Sequence, residues 1–322
     1  MSTYNNFMIL AFSAIAFGIA LMWTSAEKLE KYSVLSAKQF GLSPFFIGST
    51  IIAFGTSAPE MLTTFFVSLE NKGAMVIGNV VGSNVANLSL VFGSMLLILA
   101  YKKLNISQDK SILINLVILL TSSLLVWFLI ATNPFSIYTS AILLCCLISV
   151  ILFWYKNSNA EEIDSSVTPE KNVFLKLLLS LVVLVFAAWL ITHGANLILD
   201  QYNLGQLFIG YTVLAIGTSL PEIAASVSLA LKGRYETVSG TLIGSNIFNG
   251  LCVLAIPGLF MRPEMSSGWS YSEWSPLLFL LFLVTLLFAY YIFMLSRKEQ
   301  KAGFFLSFIF LSSYFFSLYY AF

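Results

Sequence analysis

Two glutamates of this chain, Glu60 and Glu222, stand inside long apolar stretches, each directly after a proline and close to hydroxyl side chains. The first closes Gly-Thr-Ser-Ala-Pro-Glu (55–60) and the second closes Gly-Thr-Ser-Leu-Pro-Glu (217–222). Downstream of each Glu comes Gly-Ser-Asn-x-x-Asn, which supplies Ser83, Asn84 and Asn87, then Ser245, Asn246 and Asn249. Every member of the second copy lies 162 positions after its counterpart in the first. Carboxylates, hydroxyls, amide oxygens and main-chain carbonyls form an all-oxygen donor set. Such a set suits hard cations. Ca²⁺ takes about 6–8 oxygens and accepts bidentate carboxylates, whereas thiolate or imidazole marks zinc or copper. Two carboxylates balance one Ca²⁺, two Na⁺ or two protons. An empty, doubly charged site is costly to carry through a membrane, so one cargo must replace another.

Helical spacing gathers these groups. Ala53, Thr56, Ser57 and Glu60 fall at i, i+3, i+4 and i+7, a single stripe, and Ala215, Thr218, Ser219 and Glu222 repeat it. Ser83 with Asn87, and Ser245 with Asn249, are i and i+4 pairs. Pro59 and Pro221 have no N–H to give the carbonyls of Gly55 and Gly217, so a broken helix with free carbonyl oxygen is expected beside each Glu. Gly82 and Gly244 permit a similar bend before each Ser-Asn pair. A charge at such a depth costs at least about 2.5–3.5 kcal/mol. No apolar stretch carries a Lys or Arg able to neutralise these two, which leaves a bound cation as the partner. A single Ser or Thr in such a helix often only back-bonds to its own helix. Asn84 and Asn246 are expected to hydrogen-bond between helices or to the broken backbone. His193, the sole histidine, has no duplicate and reads as structural or interfacial.

The elements that must position these groups are membrane helices. The chain is 58% hydrophobic and 10% charged, with a mean hydropathy of +0.89. A soluble domain carries about 25% charged residues. The fold class expected is therefore an all-α polytopic membrane protein. Ten spans are expected, at roughly 6–23, 44–68, 74–100, 112–131, 135–155, 173–199, 206–231, 237–260, 275–295 and 303–321. Residues 1–155 form a first five-helix repeat, 156–172 a polar, acidic cytoplasmic connector, and 173–322 a second five-helix repeat. The N-terminal apolar segment has no Lys or Arg within Met1–Phe7 and no Ala-x-Ala-like cleavage site, so it is taken as the first span. Cys145, Cys146 and Cys252 all fall in apolar spans and are expected to be small packing residues.

Charge distribution orients these spans. With both termini outside, the inward loops hold 13 of the Lys and Arg residues and the outward loops hold only Lys72 and Arg262. That split follows the positive-inside rule. Five is odd, so the second half enters the membrane from the opposite side and the repeats are inverted. Between 46–93 and 208–255 an ungapped alignment gives 18 identities in 48 positions, Phe46-Ile47-Gly48 with Phe208-Ile209-Gly210 among them. Unrelated apolar helices share Leu and Val readily, but not Gly, Pro, Glu, Ser and Asn in register.

At these motifs, Ala53–Glu60 with Gly78–Asn87 and Ala215–Glu222 with Gly240–Asn249, the chain resembles the sodium/calcium exchanger family, in particular its compact prokaryotic members. The resemblance extends through the ten-span plan. It implies that Glu60 and Glu222 bind Ca²⁺ with the backbone oxygens of Thr56 and Thr218. It also implies that Ser57, Ser83, Ser219 and Ser245, with the carbonyls of Ala53 and Ala215, complete flanking Na⁺ sites. Asn87 and Asn249 join the set, and spans one and six slide against the rest to alternate access. Some similar proteins carry Asp where Asn249 stands, and in similar K⁺-dependent exchangers that Asp goes with K⁺ binding. Its absence argues against K⁺ co-transport.

The expected function is Na⁺/Ca²⁺ antiport across the cell (inner) membrane. A proton-coupled cation antiporter is the alternative, because carboxylates also accept protons. Two Na⁺ per Ca²⁺ would be neutral and a further Na⁺ electrogenic, at about 2.3 kcal/mol per charge per 100 mV; the residues leave this open. An enzyme would need a nucleophile or a His/Asp metal set near the Glu pair, which His193 alone does not supply. A channel has no need of an inverted repeat with an occluding midplane site. No cofactor, nucleic acid or obligate protein partner is expected, only the transported ions and the lipid bilayer.

Overall fold

The computed structural model describes residues 2–38, 49–50, 53–102, 112–157, 172–202, 205–231, 235–260, 271–297 and 303–321. The connector beyond Asn157, the Phe46-Ile47-Gly48 match, and Lys103, Lys110, Lys171, Lys232, Arg234, Arg262, Lys298 and Lys301 lie outside the described residues. What is described is helical, as a bilayer demands of any backbone that must satisfy its own hydrogen bonds. The helices are α1 (Ser2–Lys38), α2 (Ala53–Leu69), α3 (Gly73–Ala86), α4 (Phe92–Lys102), α5 (Ile112–Thr132), α6 (Ile137–Lys156) and α7 (Val173–Tyr202). They continue as α8 (Gln206–Ile209), α9 (Ala215–Leu231), α10 (Tyr235–Leu251), α11 (Ile256–Phe260), α12 (Tyr271–Ser296) and α13 (Gly303–Ala321).

Among the described residues, eight helical stretches are long and apolar enough to cross a membrane. The 17-residue helices α2 and α9 are shorter and carry the Thr-Ser-x-Pro-Glu motifs. Polarity is inside out relative to a soluble domain. Glu60, Glu222 and many Ser, Thr and Asn side chains are buried, while Phe12, Phe17, Phe128, Phe305 and Phe315 face outward.

Two apolar clusters organise the packing. The larger joins residues of α3–α6, α10, α12 and α13. The smaller joins α1 and α7 to one side of α2 and α3. Small residues let α1 and α7 approach closely. A Cβ on Gly194 would stand 2.8 Å from the Ala11 carbonyl oxygen, and one on Gly18 would stand 3.1 Å from that of Ala187. The turn Glu70–Lys72, with Asn71 in the left-handed region at φ 58°, holds α7 by a polar clamp. Lys72 Nζ donates to Asn196 Oδ1 at 2.6 Å, Asn196 Nδ2 donates to Glu70 Oε2 at 2.6 Å, and Lys72 pairs with Glu70 at 3.1 Å.

The internal duplication is expressed as reciprocal contacts. A Cβ on Gly82 would meet Ala215 Cβ at 2.7 Å and the Tyr211 main chain, and one on Gly244 would meet Ala53 Cβ at 2.7 Å and the Ser49 main chain. Residues 82, 53 and 49 are the counterparts of 244, 215 and 211. Reciprocity of this kind is what a two-fold relation produces. Asn84 donates to the main-chain oxygen of its own counterpart, Asn246, at 3.4 Å, which places that pair beside the pseudo-two-fold axis.

Three details differ from the sequence reading. Helix α1 runs on to Lys38 rather than ending near residue 23. The polar segment after the span is itself a good helix former, with Glu27 and Lys31 at i and i+4, and Trp23 Nε1 donating to Glu27 Oε1 at 2.7 Å. Helix α2 is not broken at Pro59; it is continuous over Ala53–Leu69. One missing donor is tolerated, and the irregularity sits upstream instead. Residues 49–50, and Gly210–Leu214 in the second copy, are π-helical just before the motif helices. Cys145 is exposed on the outward face of α6 rather than packed inside.

Candidate ion-binding site

All twelve residues singled out from the sequence are buried: Ala53, Thr56, Ser57, Glu60, Ser83, Asn87, Ala215, Thr218, Ser219, Glu222, Ser245 and Asn249. Four helices deliver them. The stripe on α2 carries Ala53, Thr56, Ser57 and Glu60, and the stripe on α9 carries their counterparts. Helix α3 supplies Ser83 and α10 supplies Ser245 and Asn249. Asn87 opens the π-helical turn Asn87–Val91 that follows α3. A π turn widens the backbone locally and is frequent at functional sites.

The two repeats interlock across this centre. Ser219 Oγ of the second repeat donates to Glu60 Oε1 of the first at 3.4 Å. The hydroxyls of Thr218 and Ser83 also lie near the Glu60 carboxylate, with Ser83 Oγ beyond hydrogen-bond distance. Thr56 Oγ1 of the first repeat faces Ser245 Oγ of the second at 3.3 Å. Glu222 is buried one turn beyond Ser219, on the same side of α9.

These oxygen spacings are informative. A hydroxyl hydrogen bond prefers about 2.7–2.8 Å between oxygens. Neighbouring ligands at right angles on a cation, each about 2.4 Å away, stand about 3.4 Å apart. The Ser219–Glu60 and Thr56–Ser245 contacts, at 3.4 and 3.3 Å, are long for hydroxyl hydrogen bonds and leave a spacing that the edge of a cation shell would also have. Several buried atoms here have no hydrogen-bond partner among the described residues: Ser57 Oγ, Glu60 Oε2, Ser83 Oγ and both amide atoms of Asn87 and Asn249. Buried polar atoms are normally satisfied. Oxygens left without donors, around a carboxylate, have the chemistry of a hard-cation donor set.

Of Asn84 and Asn246, only Asn84 makes the expected contact between helices, to the Asn246 main-chain oxygen; Asn246 Nδ2 instead donates to the Leu242 carbonyl of its own helix at 2.8 Å. His193 is exposed and stacks on Trp189 with ring centroids 5.4 Å apart. Sequence reasoning missed Asn79, Thr64 and Ser226, which extend the buried polar stripes. Thr64 and Ser226 each lie four residues after a Glu, a signal the helical period offered. Asn79 has Thr241 as its counterpart, so a search for duplicated residues passes over it.

The family model described as sodium/calcium exchanger protein matches residues 10–156 and 172–322. The inner membrane protein YrbG of Escherichia coli is 28% identical over 295 residues, covering 88% of this chain and 88% of that protein. The sodium/calcium exchanger MaX1 of Methanosarcina acetivorans is 26% identical, covering 88% of this chain and 97% of that protein. Among solved structures, the sodium-calcium exchanger NCX_Mj, soaked with Na⁺ and Sr²⁺, superposes with a TM-score of 0.67 at 28% identity. That match covers 97% of this chain and 99% of the other.

Proposed function

This chain belongs to the sodium/calcium exchanger protein family, and on that premise we propose that it is a secondary antiporter exchanging Na⁺ for Ca²⁺ by alternating access. The observation that carries this reading is the buried oxygen cluster around Glu60, built from both repeats and spaced for a cation. Glu60 and Glu222 bind Ca²⁺ with the backbone oxygens of Thr56 and Thr218. Ser57, Ser83, Ser219 and Ser245, with the carbonyls of Ala53 and Ala215, hold Na⁺ on either side. Asn87 and Asn249 orient the ions with neutral amide oxygens, so the total charge of the site stays at that of two carboxylates. Helices α1 and α7, which approach each other closely at Gly18 and Gly194, move as a pair against the rest. The protein works in the cell inner membrane with both termini outside, as 1–155 and 173–322 repeats joined by a cytoplasmic 156–172 connector.

The test is ⁴⁵Ca²⁺ uptake into proteoliposomes with one gradient imposed at a time. An outward Na⁺ gradient drives uptake. Uptake driven by a pH gradient without Na⁺ would replace this reading with a proton-coupled one. Replacing K⁺ by choline on both sides leaves the Na⁺-driven rate unchanged, because Asn249 offers no third carboxylate for a further cation. A K⁺ requirement would contradict that assignment.

A further inference from the structure

Asn196, buried on α7, uses both ends of its amide on the turn that joins α2 to α3. Its Oδ1 accepts from Lys72 Nζ at 2.6 Å, and its Nδ2 donates to Glu70 Oε2 at 2.6 Å. Lys72 and Glu70 close the ring on the turn itself, at 3.1 Å. Each amide contact has an ionised partner, which makes it shorter and stronger than a neutral hydrogen bond. The turn is in turn fixed to α2. Asn71 N donates to the Ser68 carbonyl at 3.0 Å and Lys72 N to the Val67 carbonyl at 3.3 Å. The ring therefore links α7 to the helix that carries Glu60.

The rest of this neighbourhood is built to slide. Leu184, Ala187, Ala188, Ile191 and Ala195 of α7 pack in the apolar cluster that also holds Ala58 and Val67 of α2. Apolar contact is non-directional, so a shift along the helix costs little while surface stays covered. A hydrogen bond of 2.6 Å is lost once its partners separate by about 1 Å more. Two residues before Asn196, a Cβ on Gly194 would stand 2.6 Å from Ile15 Cγ1 and 2.8 Å from the Ala11 carbonyl oxygen. Whatever holds Asn196 thus holds α1 as well. The second repeat does not carry the same residues. At the 162-residue offset Glu70 and Lys72 match Lys232 and Arg234, two cations with no carboxylate to close a ring.

We propose that Glu70, Lys72 and Asn196 form a latch that holds α7, and α1 with it, in one of the two access states. The latch favours that state alone, because the turn of the second repeat does not repeat its residues. These are positioning residues: they set how often the α1–α7 pair leaves this position. The inference rests on the alternating-access reading above.

The experiment is double electron–electron resonance on the full-length protein in liposomes, in Ca²⁺ and in Na⁺. Cys145, Cys146 and Cys252 are replaced by Ser, and spin labels are placed at Leu69→Cys and Val182→Cys, two outward-facing positions on α2 and α7. The latched protein gives one dominant distance. Asn196→Ala frees α7 but keeps the Glu70–Lys72 pair, and it raises the ratio of a second, displaced distance about tenfold. Glu70→Lys, on the exposed side of the ring, has the same effect. Combining it with Lys72→Glu restores the single distance, because a turned amide can serve the exchanged charges equally well. A purely structural contact would instead lower the thermal midpoint of Asn196→Ala and leave one distance, which overturns the proposal. Should Asn196→Ala not accumulate, a single distance in Glu70→Lys, or no restoration by the exchanged pair, would overturn it equally. A second distance that opens and closes as expected, in a protein whose wild type shows no Na⁺-driven ⁴⁵Ca²⁺ uptake, would uphold the latch and sink the exchanger reading.

Discussion

Glu60→Gln and Glu222→Gln each abolish Na⁺-driven ⁴⁵Ca²⁺ uptake in proteoliposomes, a fall of at least about 100-fold. Gln keeps the volume of Glu and one of its oxygens, so packing is preserved. It removes the charge and aims an N–H₂ group where the cation sits. Glu60 is fully buried, and its neighbours Ser219, Thr218 and Ser83 are neutral hydroxyls that cannot replace that charge. With one carboxylate left, a bound Ca²⁺ keeps a net positive charge in a medium that penalises it by several kcal/mol. The two variants lose flux alike, because in the proposed site the two repeats hold one Ca²⁺ between them. Retained flux in either variant, with the protein folded, would separate that residue from transport.

Widening the helix contacts is the second large effect. Gly82→Val and Gly244→Val each lower the thermal midpoint and abolish Ca²⁺ binding. A Cβ at Gly244 would stand 2.7 Å from both Ser49 Cα and Ala53 Cβ. At Gly82 it would stand 2.8 Å from the Tyr211 carbonyl oxygen and 2.7 Å from Ala215 Cβ. These neighbours are backbone or its first carbon, so no rotamer change relieves the clash. Overpacking of this kind costs about 1–3 kcal/mol and sometimes more. The consequence for function is larger than for stability, because Ala53 and Ala215 are the residues displaced, and their carbonyls are assigned to the ions. Thermal unfolding followed with and without Ca²⁺ measures both. In wild type, Ca²⁺ at 100 times its Kd adds about 2.7 kcal/mol to stability. Neither variant shows that increment. A normal Ca²⁺ response in Gly244→Val would show that the α10–α2 contact does not set the site.

Much of this was legible in the sequence because two independent periods agree. The helical period put Thr56, Ser57 and Glu60 on one stripe, and the 162-residue repeat placed a second stripe beside it. Both survive in the structure, where Ser219 reaches Glu60 and Thr56 reaches Ser245. Proline misled, since Pro59 suggested a break that the helix absorbs. The distortion falls in the preceding π turns, whose residues, such as Gly210-Tyr211-Thr212, carry no local signature of it. The end of α1 was misjudged because apolar length marks where the lipid stops, not where the helix stops. Asn79 was invisible for a different reason. Its partner Thr64 is near in sequence, but Thr218 belongs to the other repeat, and only the fold brings the two together.

A two-part site shared between repeats has one direct test. Equilibrium ⁴⁵Ca²⁺ binding to the purified protein should give one ion per chain, displaced by Na⁺ and not by choline. Glu60→Gln and Glu222→Gln should each remove that single ion entirely, rather than half of the total. Binding of two Ca²⁺ ions per chain, with one surviving in each variant, would contradict a shared centre and would mean that the duplicated motif builds two separate sites.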